Sequence, residues 1–225
     1  CQAAMQEIDQ FLKHQGYELL MYQQAVIDQF INQTNGIIQA PTGRGKTMAI
    51  ALGMIYNCLK AKQRPKILWV TPMRALARDT ERQLNTIFSY FYDDIQIISR
   101  TSDSSSYQKK KARDNKWDIL ITTPESCALF STYTDMIGPL KTVQTLVVDE
   151  WHLLLHQKRG ILFELFLSWV RAFHPTLRCW ALSATLSSPQ RAAEILAPHQ
   201  SVEIITDPFK KKITGQVILP QTKLN

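Results

Sequence analysis

The run Ala40-Pro-Thr-Gly-Arg-Gly-Lys-Thr47, set between an apolar segment and a helical one, has the make-up of a phosphate cradle. A glycine-rich turn at a helix start aims free backbone N–H groups at an anion, and Gly43 and Gly45, beside Thr42 and Arg44, permit that turn. Lys46 adds positive charge at the β- and γ-phosphates of a nucleotide, and the Thr47 hydroxyl can ligate magnesium. Ala40 stands where the strict form of this motif has glycine. Further along, Val147-Val-Asp-Glu-Trp-His152 closes a second apolar run. There Asp149 would complete a metal shell and Glu150 would polarise an attacking water. The two runs together predict an ATP and Mg2+ site with Lys46, Asp149 and Glu150 as its catalytic set. Upstream lies Tyr22-Gln23. A glutamine amide offers one donor and one acceptor, which match N6 and N7 of adenine.

These groups need strands to carry them and helices to face them. Short apolar or β-branched runs recur at 36–40, 66–71, 95–99, 117–122, 143–149, 177–183 and 202–206. Segments of helical period lie between them at 47–61, 73–91, 124–133, 161–173 and 189–196. Alternating strands and helices, with the strands apolar on both faces, predict an α/β fold with a mostly parallel sheet covered on both sides. In such sheets ligands sit beyond the carboxyl ends of the strands, and every candidate motif falls at a strand end. Residues 102–111 are serine-rich and then basic, so a loop leading into a helix is expected there. The organisation expected is one ATP-binding domain over 1–207. Residues 208–225, with Lys210-Lys211-Lys212, then read as a basic edge strand or linker toward a second domain.

With 225 residues and 45% hydrophobic content the chain can bury a full core. Its 26 basic against 19 acidic residues give a net charge of +7, which favours a polyanionic partner such as nucleic acid. The four cysteines contain no Cys-x-x-Cys pair and read as reduced thiols of a cytoplasmic protein, not as zinc ligands or a disulfide frame. No apolar run approaches the roughly 18 residues of a membrane span, so no membrane partner is expected. The first residue is Cys1, consistent with an excised fragment. His152 and His156 have i,i+4 spacing, but Leu153 replaces the glutamate of a His-Glu-x-x-His zinc motif and no third ligand is evident.

Taken together, the chain resembles the first RecA-like P-loop domain of superfamily 2 helicases, and within them the Lhr-like, ligase-associated DNA damage response DExH-box branch. The resemblance rests on Gln23, residues 40–47, Thr71-Pro-Met-Arg-Ala-Leu-Ala-Arg-Asp79 and Arg100-Thr-Ser-Asp103. It extends through Thr122-Thr-Pro-Glu-Ser126, Asp149-Glu-Trp-His152, Lys158-Arg-Gly160 and Ser183-Ala-Thr185. Ser102 stands where relatives usually carry glycine. By resemblance, Thr71, Pro72 and Arg74, with Thr123, Pro124 and Glu125, line a track for the backbone of single-stranded DNA. Ser183 and Thr185 would couple the nucleotide site to that track, with His152 as the link. The resemblance further implies ATP-driven translocation and duplex unwinding, a role in DNA repair, and closure against a second RecA-like domain of the parent chain. An RNA-remodelling ATPase of the same superfamily, or a nucleic-acid clamp that does not unwind, are the alternatives. Thr-Pro before a helix is also an ordinary cap, and the Lys109–Lys111 run reads as a solvated helix face.

Overall fold

The computed structural model describes residues 2–154 and 158–208. The chain runs α1 (Gln2–Gln15), α2 (Met21–Ile31), β1 (Asn35–Gln39), α3 (Lys46–Ala61), β2 (Ile67–Val70) and α4 (Ala77–Phe91). It continues through β3 (Ile97–Arg100), α5 (Ser106–Arg113), β4 (Ile119–Thr122), α6 (Pro124–Phe130), α7 (Ile137–Lys141) and β5 (Thr145–Val148). The last elements are α8 (Lys158–Phe173), β6 (Arg178–Ser183), α9 (Pro189–Leu196) and β7 (Val202–Thr206). All seven strand runs expected from the sequence form strands. The helix expected over 73–91 begins as a 3-10 turn, Arg74–Leu76, before α4 takes over. The helix expected from 161 starts earlier, at Lys158. The basic run after the serine-rich segment is α5, capped by the Ser105 hydroxyl, which accepts from the Gln108 N–H. Helices α1, α2 and α7 add layers the motif reading did not foresee. Of the tail expected as an edge strand or linker, residues 209–225 lie outside the described residues.

One parallel sheet holds the strands in the order β3-β4-β2-β5-β6-β1-β7. Each central strand shows the period of two that covering on both faces demands. Ile67, Trp69, Ile119, Ile121 and Val147 point into the core under α1 to α4, whereas Leu68, Val70, Leu120, Leu146 and Val148 point into the core under α5 to α9. The α/β layout with a parallel sheet covered on both faces is as expected from the sequence.

The order of strands determines what can meet. The phosphate loop leaves β1 and Asp149 leaves β5, and the two are separated only by β6, which ends at Ser183. The pairings Gln39↔Ser183 and Val148↔Ala181 keep these three ends level. On the other half of the sheet, β2, β4 and β3 end side by side, with Val70 opposite Thr122 and Arg100 opposite Thr122. The Asp149 N–H donates to the Val70 carbonyl at 2.8 Å, which ties the two halves together where β5 meets β2.

Candidate nucleotide site and nucleic-acid track

The cradle is built around two left-handed glycines, Gly43 (φ 83°) and Gly45 (φ 79°), the latter capping α3. A Cβ on Gly45 would stand 2.4 Å from Nε2 of Gln23 and 2.9 Å from the Tyr17 hydroxyl, so only glycine fits there. Lys46 folds back over the loop, its Nζ donating to the Ala40 carbonyl at 2.6 Å and the Pro41 carbonyl at 3.2 Å. A cleft of about 500 Å³ opens beside it, lined among others by Thr42, Gly43, Lys46, Thr47, Asp149 and Glu150. Five of these were singled out from sequence as phosphate, metal or catalytic groups, and Thr42 as cradle backbone. Burial pushes the Asp149 carboxyl up to about 6, and the neighbouring Glu150 charge adds to that effect. The Glu150 N–H, donating at 2.9 Å, and the Lys46 charge oppose it. A carboxylate held in this way is relieved by a cation. The oxygen set of Thr47 and Asp149, with room in the cleft for phosphates and water, suits a hard cation such as Mg2+, which binds through few protein ligands. Among the described residues no cluster of three His, Cys, Asp or Glu side chains could hold a metal by itself.

Glu150 sits in the left-handed region (φ 50°) at the entry to the 3-10 turn Trp151–Leu153, a backbone conformation uncommon for a residue with a Cβ. That turn swings His152 back. Its Nε2 lies 3.2 Å from Glu150 Oε2 and its Nδ1 3.0 Å from Ser183 Oγ, while the Ser183 hydroxyl also bonds the Thr185 carbonyl. Glu150, His152, Ser183 and Thr185 therefore form one contiguous chain of polar contacts. His156 lies outside the described residues, so the zinc alternative has only His152 within them, and that ring is engaged on both nitrogens.

Gln23 is held within the protein. It is fully buried, and its amide is committed to the protein: Nε2 donates to the Gly45 carbonyl at 3.0 Å and to the Tyr17 hydroxyl at 3.0 Å, while Oε1 accepts from the Leu20 N–H at 2.8 Å. The side chain expected to read adenine here braces the phosphate loop, and an adenine contact would require it to exchange those bonds. Arg44 is likewise engaged within the protein. Its guanidinium pairs with Asp207 at 2.7 Å and its carbonyl accepts from the Tyr22 hydroxyl, so it anchors the loop to the end of β7.

Over the other half of the sheet, a cavity of about 420 Å³ is lined by Pro72, Arg74, Ser102, Thr123, Glu125 and Arg159. The structure thus gathers four of the six expected track residues. Thr71 is buried and its hydroxyl turns to Met73. Pro124 is buried at the first position of α6. Thr123 caps that helix through Ser126, as the plain capping reading held. Sequence reasoning quoted Arg159 only as part of Lys158-Arg-Gly160 and gave it no role. Its partners are distant in the chain, and only the packing of α8 against α6 brings them within reach.

A family model described as DEAD/DEAH box helicase matches residues 21–193. The chain belongs to that family. It is 34% identical over 203 residues to the ATP-dependent helicase Lhr-Core of Sulfolobus acidocaldarius, covering 83% of this chain and 23% of that protein. The Lhr-Core helicase of Methanocaldococcus jannaschii is 33% identical, with 83% and 24% covered. Among solved structures, Mycobacterium smegmatis helicase Lhr bound to ssDNA and AMP-PNP superposes with a TM-score of 0.73 at 29% identity, over 87% of this chain and 27% of that one. The DUF1998 helicase MrfA shares the fold, with a TM-score of 0.76 at 21% identity. The chain spans about a quarter of the length of these relatives. Among the described residues Cys58, Cys127 and Cys179 are buried free thiols, and no described helix is long and apolar enough to cross a membrane.

Proposed function

We propose that this chain is the ATP-binding motor domain of an ATP-dependent DNA helicase, in which nucleotide turnover drives movement along a single strand. The observation that carries this reading is the convergence of Lys46, Thr47, Asp149 and Glu150 on one cleft at the carboxyl ends of β1 and β5. The named activity of the Lhr-Core relatives, and the ssDNA and AMP-PNP held by the Lhr structure, agree with it.

Lys46 leaves the loop carbonyls to neutralise the β- and γ-phosphates, which the backbone N–H groups after Gly43 cradle. Thr47 and Asp149 would hold Mg2+, which when bound draws charge from the phosphate oxygens. Glu150, which lines the cleft, orients the attacking water. His152 links Glu150 to Ser183, so a change at the water position reaches the end of β6 and Thr185. Arg74 and Thr123 offer donors to phosphodiesters without reading bases, as movement along any sequence requires, while Pro72, which has no N–H, shapes the wall beside them. Role in DNA repair, translocation against a second RecA-like domain, and Gln23 as an adenine contact after it exchanges partners complete the proposal.

Lys46→Ala should abolish affinity for Mg-ATP, whereas Glu150→Gln should retain nucleotide and lose turnover by at least about 10²-fold in the full-length protein. Isothermal titration with ATP and phosphate release measure the two separately. Equal loss of nucleotide affinity in both variants would refute the division of labour. Comparing DNA with RNA as stimulators of the full-length ATPase tests the choice of polymer.

A further inference from the structure

Glu125 makes a poor grip for a phosphodiester, because a carboxylate repels the phosphate. Its geometry gives it other work. Arg159 donates from Nε to Glu125 Oε1 at 2.5 Å and from Nη2 to Oε2 at 3.2 Å, and the same Nη2 reaches the Pro72 carbonyl at 2.6 Å. This is the planar two-point match that guanidinium makes with carboxylate. The third nitrogen, Nη1, has no hydrogen-bond partner among the described residues, and Arg159 lines the same cavity as Arg74, Ser102 and Thr123. Arg74 lines the same cavity, paired to Asp103 at 3.0 Å and to the Ser102 hydroxyl at 2.9 Å.

The two arginines are held differently. The Arg74–Asp103 pair is exposed on both sides, 54% and 72%, and such a pair contributes little and gives way readily. Arg159 is 32% exposed and fixed at three points by α6 and the turn after β2. Its placement also depends on its neighbour: a Cβ on Gly160 would lie 2.3 Å from the Leu154 carbonyl, so glycine lets α8 start close enough to deliver Arg159 over Pro72. We infer that Arg159 is a nucleic-acid-binding residue that presents Nη1 to a backbone phosphate of the single strand, with Glu125 as its positioning residue and not itself a ligand. Arg74 is the adaptable second donor to the same phosphate or the next. The inference rests on the proposed track and adds its fixed cationic contact.

The test is binding of a labelled oligo-dT to the full-length protein by fluorescence anisotropy, from 50 to 200 mM salt, for wild type, Arg74→Ala, Arg159→Ala and Arg159→Lys, with melting temperatures measured alongside. Arg159→Ala should weaken binding about tenfold at low salt and reduce the log–log salt slope by about 0.7, the value for one phosphate contact on a single strand. Arg159→Lys should keep the slope and recover part of the affinity, since it keeps the charge and loses the two-point fit. Wild-type affinity and slope in Arg159→Ala, with weakening in Arg74→Ala, would overturn the role of Arg159 and leave the track intact. No change in either alanine variant would overturn the track itself. Weakened binding at an unchanged slope with a lowered melting temperature, or a lysine variant indistinguishable from alanine, would make Arg159 a strut between α8 and α6 and overturn the inference.

Discussion

Arg44 shows how one side chain acquires its meaning from a distant partner. A cation at the start of α3 faces the positive end of the helix, so from sequence it is expected to be destabilising until an anion binds. In the fold its guanidinium is hydrogen-bonded to Asp207, whose side chain is only 4% exposed, and that contact holds the arginine's proton more firmly than usual. Removing Arg44 would strip a buried carboxylate of a counter-charge. Arg44→Ala is therefore expected to lower the melting temperature of the nucleotide-free protein by a few degrees, on the order expected for loss of one such pair in a domain this size; thermal unfolding checks it, and a rise would restore the helix-dipole account. Lys66 offers a pH test. Burial pushes its ammonium down to about 8, opposed by the Asp118 charge, while the group sits 3.5 Å over the Trp117 ring. Its folded value lies below its unfolded one, so stability is lost as pH falls toward 8 and is restored as pH rises to 10.5. In urea unfolding, the stability of Lys66→Gln relative to wild type should be greatest near pH 7 and decline between pH 8 and 10.5.

Among the elements, the α2–α3 contact shows what sets the cradle's position. Gly53 in the middle of α3 lies against Phe30 of α2, and a Cβ there would come within 2.4 Å of the ring. Phe30 in turn stacks on Trp180 of β6 with centroids 4.9 Å apart. Gly53→Ala would gain about 1 kcal/mol of helix propensity. Overpacking of this kind costs about 1–3 kcal/mol, so net destabilisation is expected, together with weaker Mg-ATP binding as α3 is pushed away from Gln23 and Tyr17. Denaturant unfolding and nucleotide titration of the same variant check both effects. Gly45→Ala attacks the cradle directly, combining a left-handed backbone with a clash on the buried Gln23 amide, and should abolish nucleotide binding while costing about 1–3 kcal/mol.

For the whole molecule, the sheet divides labour between its halves: β5, β6 and β1 carry the proposed nucleotide cleft, and β2, β4 and β3 carry the proposed track. Their meeting point is the Asp149 to Val70 hydrogen bond between β5 and β2. On the proposed reading, this chain supplies the cradle, the metal ligands and the water-orienting carboxylate. In related NTPases an added arginine contributes about 10³–10⁵ in rate. The 225-residue chain alone is expected to bind Mg-ATP and turn it over slowly, with DNA-stimulated hydrolysis appearing only in the full-length protein. Steady-state phosphate release with and without oligo-dT measures this, and strong stimulation in the isolated chain would contradict it.

The sequence by itself determined the seven strands, the parallel α/β layout and the residue types from which the chemistry of 40–47 and 149–150 is proposed, because those depend on local pattern: a period of two, turn glycines, and residue types at fixed offsets. It also identified Thr123 as a cap, a contact spanning three residues. What only the tertiary structure decided were the pairings across the chain. Gln23 is spent on Gly45, Arg44 on Asp207, and Glu125 on Arg159, each chosen by which elements pack together and by the need of buried polar groups for partners. No local pattern encodes that choice, since the same glutamine, arginine and glutamate at the same positions could each have faced a ligand.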